Sequence, residues 1–242
     1  PDQQSRSDDE GRAGNGPAVR HMVEQQVAPD RQIENEGIAE RGQDGGRREP
    51  ADDLITRLAE AEIDGDALSE REIVLTTAMF VVAGVESLSS FMSIFAMNLA
   101  QMADVQDALR KDPALMKSAI EESLRFNTSA QRFKRMLTRD VELHGQQMRK
   151  GDFVVLAYGS ANRDERQFPD ADSYDLQRNP KGHLGFGTGK HFCIGNDFAR
   201  MVMERAMHVF LEQMPQFSLG ETQIDWVPSS NFRSPVVLQL VT

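Results

Sequence analysis

Apolar positions recur with a helical period along most of the chain beyond residue 50. Leu54, Ile55, Leu58 and Ala61 lie three and four apart, which predicts a helix over 51–61 that Gly65 ends. Ser69 before Glu70, Arg71 and Glu72 has the pattern of an N-cap and an acidic first turn, so a second helix is expected to start there. From Ile73 to Ala103 the only charged residue is Glu86. That stretch is long enough to cross a membrane. It also carries Thr76, Thr77, Ser87, Ser89, Ser90, Ser93, Asn98 and Gln101, and a carboxylate at the bilayer centre costs roughly 2.5–3.5 kcal/mol. The balance favours a long helix through the centre of a soluble protein, with no membrane span. Helices are also expected over 104–110 and 113–126, the second with Pro113 in its first turn.

The pattern then changes. Val141, Leu143 and the run Phe153-Val154-Val155-Leu156 lie around turn signals at Gly145 and Gly151, which predicts short strands within 132–156. Residues 162–192, with Pro169, Pro180 and several glycines, read as loop. A strong helical pattern covers 194–213, and short strands and turns are expected over 214–242, ending in Val236-Val237-Leu238-Gln239-Leu240. The sum is a mainly α fold with a small β part.

Composition adds limits. Residues 1–50 form a polar segment: 1–17 carry the composition of disorder, 18–40 have the pattern of one polar helix, and 41–50 read as a linker. Residues 51–242 are expected to form the folded domain. The N-terminus has no apolar stretch of a signal peptide, and the missing initiating Met marks an expected fragment. The net charge of −11 argues against nucleic-acid binding. A single cysteine cannot form an intramolecular disulfide, which favours a reducing, cytoplasmic location. A lone cysteine is most often an inert packing residue, so its neighbours decide its meaning.

Those neighbours are Phe186-Gly187-Thr188-Gly189-Lys190-His191-Phe192-Cys193-Ile194-Gly195, with a helix expected directly after. This order puts Cys193 at a helix N-terminus, where unpaired N–H groups and the positive dipole end favour a thiolate. The glycines permit a tight turn and close approach of a large flat ligand. The stretch resembles the cysteine-loop signature of the cytochrome P450 family, Phe-Gly-x-Gly-x-His/Arg-x-Cys-x-Gly, at every fixed position. The resemblance implies haem b with Cys193 as the iron ligand. It further implies Phe186 packed beneath the ring, Gly187 in the turn, His191 on a propionate, and Ile194 and Gly195 lining the proximal side.

Further motifs match the same family in order over about residues 50–242. Glu122-Ser123-Leu124-Arg125 matches Glu-x-x-Arg, and Arg178 would be the third member of its structural ion cluster. Alone, such a pair is usually a solvated surface contact. Ala83-Gly84-Val85-Glu86-Ser87 matches the oxygen-binding groove. Gly84 costs its helix about 1 kcal/mol relative to Ala, and the resemblance gives it a role: room for O₂ beside Ala83, with Glu86 and Ser87 relaying protons. Ser87 stands where threonine is commonest, keeping the hydroxyl without the methyl that fixes its rotamer. Arg135 is expected to pair with a propionate, with Arg132 nearby and His183 a weaker candidate. Ser160-Ala161-Asn162-Arg163-Asp164 resembles a segment that holds the meander in soluble bacterial members. His21, His144 and His208 read as surface or packing residues, as do Met201, Met203 and Met207 on the last helix.

The implied fold is an incomplete cytochrome P450, with a long central helix over the haem and the cysteine loop leading into the final long helix. The family's N-terminal half is absent. The implied reaction inserts one atom of O₂ into an apolar small molecule. Electrons would derive from NAD(P)H through a separate ferredoxin or flavoprotein, since no nucleotide-binding fingerprint is present. Lys111, Lys117, Lys190 and Arg200 are candidates for a basic patch toward that donor. Substrate-facing candidates are Phe80, Val82 and Ala83, residues 127–133, and Ser230, Asn231 and Phe232. Two alternatives stand beside this. A peroxide-driven enzyme of the same fold ordinarily lacks the acid–alcohol pair that Glu86 and Ser87 supply. A non-catalytic haem-binding fragment is the alternative from another class.

Overall fold

The structure, a computed structural model, describes residues 50–221 and 223–242. The expectations for 1–49 lie outside those residues. The chain divides into two compact units, Pro1–Met79 and Phe80–Thr242.

In the described part of the first unit, α1 (Leu54–Glu60) is capped by Asp53, whose carboxylate accepts the Thr56 N–H at 2.9 Å. A two-residue hairpin follows, β1 (Glu62–Ile63) on β2 (Asp66–Ala67), turning through Asp64 and Gly65 at φ 55° and 90°. Ser69 and Glu72 then form a reciprocal capping box. The Ser69 N–H donates to Glu72 Oε2 at 2.9 Å and the Glu72 N–H donates to Ser69 Oγ at 3.4 Å. The long helix α2 (Glu70–Ala100) starts there, three residues earlier than its apolar pattern.

The second unit holds the core. The last part of α2 packs with α3 (Ala103–Lys111), α4 (Met116–Phe126) and α6 (Asn196–Gln213); Phe91, Phe95, Leu99, Leu109, Ile120 and Met207 lie at its centre. Gln106, fully buried, donates to the Leu99 and Phe217 carbonyls, both at 2.7 Å, and so ties α3 to the chain after α6. Helix α2 is the one helix among the described residues long and apolar enough to span a membrane. Its burial from Ile94 to Ala100 makes that end a core helix.

The β part is small. Strand β3 (Phe133–Met136) pairs antiparallel with β6 (Phe153–Leu156), and β4 (Val141–Leu143) with β5 (Gln146–Met148). The short α5 (Tyr158–Ala161) follows. Strand β7 (Ser218–Leu219) pairs with β8 (Leu240–Val241). The expected terminal strand over 236–240 is thus mostly irregular: the Val236 N–H donates to the Asp225 carbonyl at 2.8 Å instead of joining a ladder.

Candidate functional site

Between Leu184 and Asn196 the chain folds back around Cys193. The Gly187 N–H donates to the Leu184 carbonyl at 2.9 Å, and Gly187 takes φ +70°, which only glycine adopts without strain. Gly185 lies against α4, where a Cβ would come within 3.0 Å of the Leu124 carbonyl oxygen. The loop closes when the Cys193 N–H donates to the Phe186 carbonyl at 3.0 Å. Cys193 is a free, half-buried thiol. Helix α6 begins at Asn196 with Gly195 as its N-cap. Cys193 therefore sits two residues before the cap, and Ile194 is 80% exposed outside the helix. The helix starts later than its apolar pattern, after the Gly195 cap.

An ion cluster backs the loop. Glu122 and Arg125 have side chains fully buried. Arg125 Nη2 and Nε donate to Glu122 Oε1 and Oε2 at 2.7 and 2.9 Å. Arg178 Nε donates to Oε1 at 3.0 Å, as does the Asp175 N–H. Arg125 also donates to the carbonyls of Asn162, Ala171 and Ser173 at 2.8–3.0 Å. A buried carboxylate with four donors and a guanidinium with no idle edge meet the conditions under which buried charge is tolerated. Asn162, also fully buried, donates to the Leu124 carbonyl and accepts the Leu184 N–H at 2.7 Å. Residues 162–178 are thereby fixed to the base of the cysteine loop.

On α2, Ala83, Gly84 and Glu86 are exposed, Phe80 and Ser87 half-buried, and Val82 is 63% exposed. Ser87 Oγ donates to the Ala83 carbonyl one turn back, and a Cβ at Gly84 would meet nothing within 4 Å. The substrate-facing candidates join one another. Ser129 Oγ reaches the Ser87 carbonyl at 3.4 Å, and the Gln131 N–H donates to the Asn231 carbonyl at 2.8 Å. Ala130 bridges Phe232, and the Phe133 and Phe232 rings pack edge-on at 5.8 Å. A cleft of about 230 Å³ lies there, lined by Arg132, Phe133, Lys134, Val155, Ser230 and Asn231.

Three propionate candidates separate. His191 is exposed in a 3₁₀ turn, Gly189–His191. Arg135 donates to the Lys134 carbonyl at 2.9 Å and forms no ion pair among the described residues. Its charge is available to an anionic group. His183 is engaged within the protein. Its Nε2 lies 2.9 Å from Glu121 Oε2, and its Nδ1 accepts the Gly185 N–H at 3.0 Å. The proposed basic patch is also reduced, because Arg200 is engaged by Glu121 and Lys117 lies 4.0 Å from Glu204.

Glu121 went unnoticed in the sequence beside the Glu-x-x-Arg motif. Burial favours its neutral form, but hydrogen bonds from His183 and Arg200 outweigh burial and hold the carboxyl at about 2, against an ordinary 4.5. A lowered folded-state value stabilises the protein above pH 4.5, and that contribution is lost as pH falls from 4.5 through 2. In thermal melts, wild type is therefore expected to exceed Glu121→Gln in Tm at pH 6, with the gap closing below pH 4.5. A gap independent of pH would remove the carboxylate as its source.

The donor set fits a haem. No group of three or more His, Cys, Asp or Glu able to hold a metal occurs among the described residues, and the Cys193 thiol is a donor of the kind that haem iron accepts. Open space lies where a Cβ would extend from Gly84, Gly189 and Gly195. Phe192 and Ile194 present exposed apolar surface beside the thiol, while Arg135 and His191 offer charge or hydrogen bonds for propionates.

Comparison with known proteins agrees with this geometry. The sequence model of the family described as Cytochrome P450 matches residues 21–219. The chain is 38% identical over 202 residues to a mycinamicin IV hydroxylase/epoxidase of Micromonospora griseorubida, covering 82% of this chain and 51% of that protein. It is 38% identical over 173 residues to a steroid C26-monooxygenase of Mycobacterium tuberculosis, covering 72% and 46% respectively. Among solved structures, a cytochrome P450 of Chondromyces apiculatus superposes with a TM-score of 0.81 at 30% identity, covering 93% of this chain and 63% of that one. The chain spans about half the length of the curated relatives it matches. A thiol presented from a glycine turn, an ion cluster behind it and this likeness in sequence and fold lead to one conclusion: the chain belongs to the cytochrome P450 family.

Proposed function

We propose that this chain is the haem-binding portion of a monooxygenase that inserts one atom of O₂ into an apolar small molecule. The observation that carries the reading is the Cys193 loop, closed on the Phe186 carbonyl at 3.0 Å and seated on the buried Glu122 cluster. The bound haem supplies the activation of O₂ and the transfer of oxygen. Cys193 Sγ holds the iron, and Arg135 and His191 orient the ring through its propionates. Ala83 and Gly84 leave the neighbouring helix surface free of bulk. Ser87 Oγ, held by the Ala83 carbonyl, keeps lone pairs free to accept and pass on a proton, and Glu86 exchanges protons with solvent. The joined segments 127–133 and 230–232, with Phe80 and Val82, form the apolar wall toward the substrate. Electrons enter from NAD(P)H through a ferredoxin or flavoprotein.

Glu86 and Ser87 together favour O₂ over peroxide as the oxidant. Exposure of Val82 at 63% and Val85 at 59% favours a second reading, in which this chain alone binds haem without turnover. A surrogate ferredoxin and reductase with NADPH separates the two: product formation supports the first, and haem binding without NADPH consumption supports the second. Within the first, Ser87→Ala is expected to lower product per NADPH by about tenfold or more, with electrons lost to hydrogen peroxide. Unchanged coupling would remove Ser87 from proton delivery.

A further inference from the structure

We propose that the Glu121–Arg200 ion pair is a positioning element of the thiolate site, which ties both ends of the cysteine loop together and sets the reduction potential of the haem iron. The inference rests on Cys193 as the haem ligand.

A continuous hydrogen-bond chain carries it. Asn196 Nδ2 donates to the Cys193 carbonyl at 3.0 Å, and Arg200 Nη1 donates to Asn196 Oδ1 at 2.7 Å. Arg200 Nε and Nη2 donate to Glu121 Oε1 and Oε2 at 2.5 and 3.1 Å, a two-point contact that only a guanidinium makes. His183 Nε2 meets Glu121 Oε2 at 2.9 Å, and the Gly185 N–H donates to His183 Nδ1 at 3.0 Å. Because Nδ1 accepts, the ring proton sits on Nε2 and is donated to Glu121. The chain thus leaves the loop at residue 185, crosses to α4 through Glu121, and returns at residue 193. Glu121 is the neighbour of Glu122, so the network and the buried ion cluster share one helical turn.

The same guanidinium lies close to the sulfur's surroundings. Arg200 Cζ stands 4.5 Å over the Phe186 ring, and the Phe186 carbonyl accepts the Cys193 N–H. The charge on Arg200 is favoured first by its hydrogen bond to Glu121, against burial, and further by Asp197 and Cys193. The Arg200 and Glu121 side chains are 33% and 29% exposed, so solvent screens them only in part.

Reducing the iron adds one negative charge, which a nearby cation favours and a nearby anion opposes. Glu121→Gln removes the closer of the two carboxylates at Arg200, leaving only Asp197 at 4.0 Å, and should raise the potential. Arg200→Gln leaves the Glu121 charge uncompensated and should lower it. Arg200→Lys keeps the charge and should stay near wild type. A merely structural tie would not reverse sign between the first two.

The test uses the haem-loaded chain in all four forms, with the carbon monoxide spectrum and a spectroelectrochemical titration on each. The expected result is a thiolate–CO band throughout and potentials in the order Glu121→Gln, wild type with Arg200→Lys, then Arg200→Gln. Coincident potentials, or shifts in one direction, with the thiolate band retained would overturn the network's role and leave Cys193 ligation standing. A wild-type band of histidine ligation would overturn both. If Glu121→Gln does not fold, Arg200→Lys against Arg200→Gln decides on the same grounds: equal potentials overturn the proposal, and a lower value for glutamine supports it.

Discussion

Replacing Glu122 with alanine is expected to destabilise the protein by about 3–5 kcal/mol, the usual cost of removing one partner from a buried ion pair. For a chain of this size that is a fall in Tm on the order of 10 °C. The carboxylate accepts four hydrogen bonds, and Arg125 beside it is fully buried. Without Glu122 the Arg125 charge keeps the carbonyls of Asn162, Ala171 and Ser173 and the Phe126 and Phe168 rings, none of which neutralises it. Arg178 loses its ionic partner too, and with it the hold on residues 169–173. Replacing both Glu122 and Arg125 with methionine should cost clearly less than the sum of the two single changes, because the fully buried Arg125 charge is no longer orphaned and only Arg178 loses its ionic partner. Denaturant melts of the single and double variants decide this. Additive losses would show that packing volume, and not charge compensation, makes the cluster matter.

The features that the sequence disclosed are those in which local chemistry repeats over a few residues. The Ser69–Glu72 box announced the start of α2, since its two hydrogen bonds are made within one turn. The cysteine loop was legible because three glycines, one histidine and one cysteine fall within ten residues. The end of α6 nearest the loop was less so. Its apolar pattern runs through Ile194, but the helix begins only at Asn196, after the Gly195 cap. The last strand was overdrawn for a similar reason: apolar residues at 236–240 suggest a strand, whereas pairing needs a partner, and only Leu240 and Val241 find one in β7. The role of His183 lay beyond the sequence altogether. Its carboxylate partner is 62 positions away, and Arg200 is 79 positions from the same carboxylate. No periodicity links such residues, and only the packing of α4 against α6 and against the segment before the cysteine loop brings them together.

Cys193→Ser is expected to have the largest effect on the chemistry. Serine keeps the loop's backbone bond to Phe186 and nearly the volume of the side chain, so the fold should be retained, with Tm close to wild type. What is lost is the soft, electron-rich sulfur ligand, for which a neutral hydroxyl is no substitute on iron. Turnover should fall to background even where haem is still bound. The most direct test is the absorption spectrum of the haem-loaded, dithionite-reduced protein under carbon monoxide, wild type beside Cys193→Ser. The account predicts a strongly red-shifted thiolate–CO Soret band in wild type that is absent from the variant. The same band in both proteins, or a band of histidine ligation in wild type, would contradict it.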